Sequence, residues 1–386
     1  MIVKKIGENI ISPLGFTTEE NYASVMAGRS ALQREESLWG MPFPCVVSLI
    51  ADPLLDADFA REIDTSRIPS YPLTKFEKVT LLSTVKALKS CKIDPSSERV
   101  LFLLSSTKGN VSLLASENID IEMVTPSSTG QLVARYFGNP NVPVTVSNAC
   151  ISGLCAQIEA YRRIRSGQYD AVVVIGADVL SPFIVSGFQS LKALSDEQCH
   201  PFSATRKGLN LGEAAATVVY AAADESAGGW QMVAGAVRND ANHISGPSRT
   251  GEGSYLALQA VLQDSGLSAS DLACLNVHGT STLYNDDMES IAIHRAGLAD
   301  VPVNAMKGYY GHTLGAAGIL ETLVTMRAVE NGKVPATRGF ETLGVAMPVS
   351  VTSENIDTEK FAFVKLLSGF GGCNAAAAFT CPSAAL

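Results

Sequence analysis

The stretch VPVTVSNACISGLCAQIEAYRRIRSGQ, Val142 to Gln168, reads as a strand, a sharp turn and a helix. Val142–Ser147 has the β-branched composition of a buried strand, and from Ile151 to Ser166 apolar residues recur at helical spacing until Gly167 stops the helix. Cys150 falls on the turn. The free N–H groups and the dipole of the helix that follows favour an anion, which draws a thiol's pKa toward the reactive range. The same N–H groups can hold a developing oxyanion. Ala149, Ser152 and Gly153 leave room for a substrate carbonyl to reach the sulfur. Read alone, Cys150 also fits the commoner role of a small buried apolar residue.

Outward from this segment the same alternation continues. Apolar runs at Val100–Leu104, Val142–Ser147, Ala171–Gly176, Ala214–Ala222, Leu272–Val277 and Phe361–Leu367 predict strands, and their lack of polar alternation predicts cover on both faces. Helices are predicted over Thr17–Ala27 closed by Gly28, Leu73–Ser90, and Ser127–Phe137 closed by Gly138. The fold class is therefore α/β. The stretch ADESAGG, Ala223–Gly229, is the one composition shift that resembles a join. It divides the chain into residues 1–223, carrying Cys150, and residues 224–386. Residue identity reveals no repeat, so any duplication is one of structure.

Two segments of the second half add chemistry to the cysteine. In LACLNVHGTSTLYNDDME, Leu272–Glu289, an apolar strand delivers His278 onto a Gly-Thr-Ser-Thr loop ahead of a helix. The C-terminal end of such a strand is where α/β folds place chemistry. In VNAMKGYYGHTLGAAG, Val303–Gly318, His312 sits among four glycines that let backbone approach the imidazole, with Lys307 five residues before it. His200, His243 and His294 lack such surroundings and are expected to be ordinary surface or core residues. One cysteine and two histidines on three strand-to-helix turns make a nucleophile and acid/base constellation.

The composition excludes several classes. The chain has 386 residues, 46% hydrophobic and 17% charged, with a formal charge of -9, so a global attraction to nucleic acid or anionic lipid is absent. The opening MIVKKIGENIIS lacks the apolar stretch of a secretory signal, and the run Ala214–Ala223 is far shorter than the roughly 18 residues of a spanning helix. Eight scattered cysteines without a C-x-x-C pair argue against a disulfide framework or a zinc site and for reduced thiols in the cytoplasm.

Six blocks in one order resemble the β-ketoacyl-acyl carrier protein synthases, condensing enzymes of the thiolase superfamily: SNACISG, SGFQSLKALS at 186–195, FSATRKGLNLGEAA at 202–215, VHGTST at 277–282, KGYYGHTLGAAG at 307–318 and GFGGCNA at 369–375. The resemblance implies a thiolase-like fold of two similar α/β halves with sheets sandwiched between helices in a layered αβαβα order. It implies no bound cofactor or metal, the substrates riding on the phosphopantetheine of acyl carrier protein. It further implies a decarboxylative Claisen condensation in fatty acid, polyene or polyketide elongation. Cys150 would take the acyl group, with the N–H groups of Cys150 and Phe370 on the thioester oxygen, and His278 and His312 would stabilise the malonyl-derived enolate. Lys307 and Glu213 would form an ionic network supporting His312. Thr280 and Thr282 would hold pantetheine, Phe370 and Gly371 would gate and line the substrate site, and Asn374 would support that loop. A homodimer, or a heterodimer with a homologous subunit, is implied as well.

The departures are local. FSATRKGLNLGEAA replaces the usual Arg-Asp-Gly-Phe and Gly-Glu-Gly sequence, Leu283 stands where proline is expected, Asp286 and Glu289 keep their places, and Val111–Pro126 is shorter than usual. A degradative thiolase would use a second cysteine near the last glycine-rich segment, where Cys373 reads as a small filler. A starter-type synthase would have asparagine in place of His312, and a noncatalytic chain-length factor would lack Cys150. Carrier protein of this family is acidic, so docking is expected on a local basic patch, either Arg206 with Lys207 or Arg61, Arg67 and Lys75.

Overall fold

The computed structural model describes residues 1–117, 120–224 and 227–382. Ten strands form one sheet: β1 (Ile2–Ile11), β2 (Val100–Ser105), β3 (Val144–Val146), β4 (Ala171–Asp178), β5 (Ala214–Ala223), β6 (Gln231–Asn239), β7 (Leu272–Asn276), β8 (Val303–Asn304), β9 (Ala362–Gly369) and β10 (Cys373–Thr380). Around them lie the helices α1 (Thr18–Met26), α2 (Asp52–Glu62), α3 (Lys75–Lys89), α4 (Pro126–Tyr136), α5 (Ser152–Arg165), α6 (Pro182–Ser190), α7 (Glu252–Ser265), α8 (Leu283–Arg295) and α9 (Ala317–Glu330).

The duplication invisible in residue identity is plain in the topology. The sheet runs β3-β2-β4-β5-β1 and then, in mirrored direction, β6-β10-β9-β7-β8, so each half has its strands in the order third, second, fourth, fifth, first. Pairing repeats too: in both halves the second strand is parallel to the third and fourth, and the fifth is antiparallel to the fourth and the first. The halves meet where β1 pairs with β6 through Val3–Met232 and Lys4–Gln231. The join placed at Ala223–Gly229 includes residues 225–226, which lie outside the described residues.

The continuous apolar strands have the two-sided cover they require. In β4, Val172 and Val174 pack with Leu154, Ile158, Ile319 and Leu323 of the central helices α5 and α9, whereas Val173 and Ile175 face Phe76, Val79 and Val133 of α3 and α4. Across α5 and α9 the second half turns Phe363 and Ala377 inward and Leu275, Val364 and Ala376 outward, toward Leu258, Val261 and Ile293 of α7 and α8. The result is five layers, helix, sheet, helix, sheet, helix. Burial of each such Val, Leu or Ile contributes about 1.5–3 kcal/mol, which makes this core the main stabilising term.

Boundaries follow local chemistry. The helix expected from Leu73 begins at Lys75 because Thr74 caps it, accepting from Glu77 N–H while Glu77 returns to the Thr74 N–H. The strand expected from Val142 begins at Val144, since Pro143 has no N–H for the ladder. The central helices touch through glycine: a Cβ on Gly318 would lie 2.4 Å from the Leu154 nitrogen and 2.8 Å from the Gly153 carbonyl carbon. Both obstacles are backbone. Gly318→Ala is therefore expected to cost about 2–3 kcal/mol and to lower the calorimetric midpoint by a few degrees; an unchanged midpoint would show that the two helices separate freely.

Candidate active site

Equivalent places in the two halves converge. Cys150 leaves β3 and enters α5, and His312 lies between β8 and α9, the corresponding strand and helix of the second half. His278 follows β7. The Cys150 sulfur and one nitrogen of each imidazole lie within 4.8 Å of one another, and the two rings meet edge to face with centroids 5.0 Å apart. All three residues are buried. They line a cavity of about 460 Å³ whose walls include Phe188, Leu209, Thr280, Thr282 and Phe370 and whose mouth carries Lys192, Lys207, Leu283 and Tyr284.

The turn holding Cys150 is tight. Ala149 is at φ 44°, in the left-handed region, and Ser152 Oγ accepts the Asn148 N–H while donating to the Ala149 carbonyl. Gly369 packs directly beneath, where a Cβ would come within 3.1 Å of the Cys150 nitrogen. The Phe370 N–H lies close enough to the Cys150 sulfur to favour its thiolate slightly. The expectation of a lowered thiol pKa is overturned. Burial pushes Cys150 up to about 12, with nearby Cys373 adding to it, and outweighs Lys307, Lys108 and the Phe370 N–H. A desolvated thiol stays neutral until substrate displaces the balance.

The imidazoles are neutral for the same reason. Burial first, then Lys307, holds both His278 and His312 well below the usual histidine range. Tautomer follows from geometry at His312: Nδ1 accepts the Leu314 N–H at 3.3 Å, so Nε2 bears the proton, and that atom is buried without a partner. His278 Nδ1 is likewise buried and unpartnered. The loop after β7 is fixed by two carboxylates of α8. Glu289 accepts from the N–H groups of His278 and Gly279, both at 2.7 Å, and Asp286 accepts from those of Thr280, Ser281 and Phe202. Burial raises Asp286 to about 6 and, with Asp286 beside it, Glu289 to about 7. Thr280 and Thr282 share a hydroxyl contact of 2.9 Å on the cavity wall.

The expected ionic network forms with a different carboxylate. Lys307 pairs with Glu321 of α9 at 2.9 Å, and Lys365 of β9 pairs with the other oxygen of Glu321. Glu213 sits elsewhere: it pairs with Lys75 at 2.8 Å and accepts from the N–H groups of Ile50 and Leu180. A buried carboxylate satisfied by those three donors has no reach left for Lys307. Asp178, at the end of β4, accepts from Gly315 N–H at 2.7 Å and from Thr107 and Ser106, tying the His312 loop to the first half.

Other expectations sort by position. Phe370 packs at a tilt against Phe188 with centroids 5.8 Å apart, Gly371, expected to line the substrate site, is exposed outside the cavity wall with its N–H on Ile244 O, and Asn374 binds Gly372 O, Ser254 and Ser368, bracing that turn. Cys373 is occupied by the carbonyls of Phe370 and Asn148 and raised by burial to about 11. His243, expected to be an ordinary histidine, lines the mouth, whereas Arg206, expected on a docking patch, is buried against Asp287 and the Gly344 carbonyl. Lys207 is exposed and pairs with Glu197. Arg61, Arg67 and Lys75 pair with neighbouring carboxylates and do not line the cavity. The donor set of Cys150, His278 and His312 could span a transition ion, but two buried ammoniums against one carboxylate oppose a dication there.

The sequence profile described as Beta-ketoacyl synthase, N-terminal domain, matches residues 6–225, and that described as Beta-ketoacyl synthase, C-terminal domain, matches residues 231–341. The chain belongs to the β-ketoacyl synthase family. Among its relatives, 3-oxoacyl-acyl-carrier-protein synthase 2 of Vibrio cholerae is 27% identical over 97% of both chains. The tetracenomycin polyketide synthase ketoacyl synthase alpha subunit of Streptomyces glaucescens is 28% identical over 97% of this chain and 96% of its own. Among solved structures, the ketosynthase ApeO in complex with its chain length factor ApeC from Xenorhabdus doucetiae shares the fold, with a TM-score of 0.83, 23% identity and 98% of each chain covered.

For this β-ketoacyl synthase the high thiol pKa has a direct consequence. Alkylation of Cys150 by iodoacetamide is expected to keep rising with pH through about pH 10, because the reactive thiolate is scarce below it. A plateau near neutral pH, read by mass spectrometry of the Cys150 peptide, would overturn this.

Proposed function

We propose that the chain condenses an acyl thioester with malonyl-acyl carrier protein, as an elongating 3-oxoacyl-acyl carrier protein synthase. The observation that supports it is the convergence of one sulfur and two neutral imidazoles within 4.8 Å on the floor of a buried cavity. In the first half-reaction the Cys150 sulfur attacks the carbonyl of a pantetheine thioester, and the departing pantetheine thiol takes the proton that Cys150 gives up to a neighbouring imidazole. The Phe370 N–H faces the oxygen as its charge develops.

In the second half-reaction the malonyl group loses carbon dioxide, and the electron pair of the broken bond passes into the thioester as an enolate. Neutral N–H donors suit that oxygen because their dipoles are already in place when the charge appears. The enolate carbon then attacks the acyl carbon on Cys150: the carbon–carbon bond forms, the bond to sulfur breaks, and the thiolate recovers a proton. Thr280 and Thr282 hold the pantetheine arm along the cavity wall, and the Phe370 turn, hinged on glycines, swings against Phe188 to admit the second substrate.

Carrier protein docks at the cavity mouth on Lys207 and Lys192, beside exposed Tyr284 and Leu283. The edge strand β3, with Val142 fully turned to solvent before it, is the surface for a second copy or a homologous subunit.

Three outcomes are expected. Incubation with acyl-carrier protein adds one acyl mass to the wild type and none to Cys150→Ala; labelling that survives the substitution would sink the assignment. His312→Ala still takes the acyl group yet loses condensation by about a hundredfold or more, and near-normal product formation by that variant would show the chemistry to be different. Lys207→Glu raises the apparent KM for carrier-bound substrate and spares a small pantetheine thioester, the defect shrinking as salt rises; equal loss on both substrates would place docking elsewhere.

A further inference from the structure

Lys365 stands in the middle of β9, flanked by β7 on one side and β10 on the other, with no exposure to solvent. An unbranched charged side chain in a central strand is costly unless it is paired and hydrogen-bonded. Its ammonium donates to Glu321 and, at 3.4 Å, to the carbonyl of Val277, the residue before His278. In the parallel register it lies opposite Asn276, whose Oδ1 is buried without a partner. Glu321 bridges both ammoniums, one to each oxygen, and all three groups are at most 2% exposed. The buried Glu289 carboxylate also lies within the field of Lys365 and Lys307. Removing one partner of a buried pair is ordinarily a large loss, and keeping an uncompensated charge is a standing cost.

That cost has a use next to His278 and His312. Both imidazoles lie within the field of Lys365, which helps hold them neutral. Resting on the condensation chemistry above, we propose that Lys365 is a positioning residue of the second half-reaction: it fixes the peptide that carries His278 and places a fixed positive charge behind the two histidines, where the enolate forms. A charge placed before the reaction needs no reorganisation at the transition state. The first half-reaction asks of the imidazoles only that one relay the Cys150 proton to the departing thiol, with no enolate to stabilise, and Lys365 bonds neither Cys150 nor Phe370.

Burial, with Lys307 adding to it against Glu321 and Glu289, lowers Lys365 to about 8, so its charge is present below that pH and lost above it. The unfolded lysine titrates higher, so between these values the unfolded chain binds the extra proton and stability rises with pH as this group discharges. An activity that falls in the same window cannot then be ascribed to this lysine's effect on unfolding.

The test compares wild type with Lys365→Met, measuring acyl mass on Cys150 and, from pH 6 to 10, the kcat for decarboxylation and condensation of malonyl-carrier protein. The Met variant is expected to acylate within about threefold of wild type while its condensation falls about ten- to a hundredfold, and to lack an alkaline decline near pH 8 that is expected of wild type. Lys365→Ala supplies the second measurement: methylammonium, which refills the emptied volume with a charge, is expected to restore condensation in a concentration-dependent way that the same concentration of methanol does not. Equal kcat and an unchanged pH profile in the Met variant would overturn the proposal, as would a loss of acylation in both variants or a failure of methylammonium on an acylated Ala variant. If the wild type itself does not decarboxylate malonyl-carrier protein, the functional reading fails first, and the two failures are told apart.

Discussion

The approach of α5 to α9 with no side chain between them governs the rest of the molecule. Gly153 and Gly318 meet backbone to backbone, and the Gly315 carbonyl occupies the space that a Cβ on Gly153 or Gly176 would fill, 2.7 Å away in each case. The two helices belong to different halves, and each begins just after a residue of the cavity floor, Cys150 or His312. Their separation therefore sets the distance from Cys150 to His312. Apolar packing of the central layer stabilises the contact, but only glycine permits it.

Desolvation then decides protonation. In water Cys150 would ionise near the ordinary thiol range and the histidines near neutrality, yet the dry floor raises the thiol to about 12 and holds both rings well below their usual range. The site at rest is thus a neutral thiol beside neutral donors. Positive charge is withdrawn one layer behind them, into the Lys307–Glu321–Lys365 cluster, while Asp286 and Glu289 grip the backbone under His278. Burying so many titratable groups lowers net stability, and the large apolar core offsets it.

Two reassignments share one physical origin. Glu213 and Arg206 look like a network acid and a docking base because their neighbours in sequence carry the family's blocks, yet each is enclosed by partners from distant segments: Ile50, Leu180 and Lys75 for the acid, Asp287 and Gly344 for the base. Glu321 and Lys365 went unnoticed for the opposite reason. Each is a lone charge inside an apolar run, ILETLV and FVKLL, and that isolation was the available signal that a buried partner must exist.

From sequence alone came the α/β class, the positions of most strands and helices, and the three side chains that converge on the cavity floor, because apolar periodicity and glycine-rich turns are local properties of the chain. The duplication was implied only by the family resemblance and not by residue identity, since it resides in strand order and pairing, which the two halves share without sharing residues. Nor were the partners of buried charges: an ion pair between α9 and β9 joins residues 44 positions apart, and nothing in either neighbourhood names the other. The thiol's protonation was misjudged from sequence for a related reason. A helix terminus is visible in the chain, but the depth at which it is buried, which outweighs it, is fixed only when the two halves close over the site.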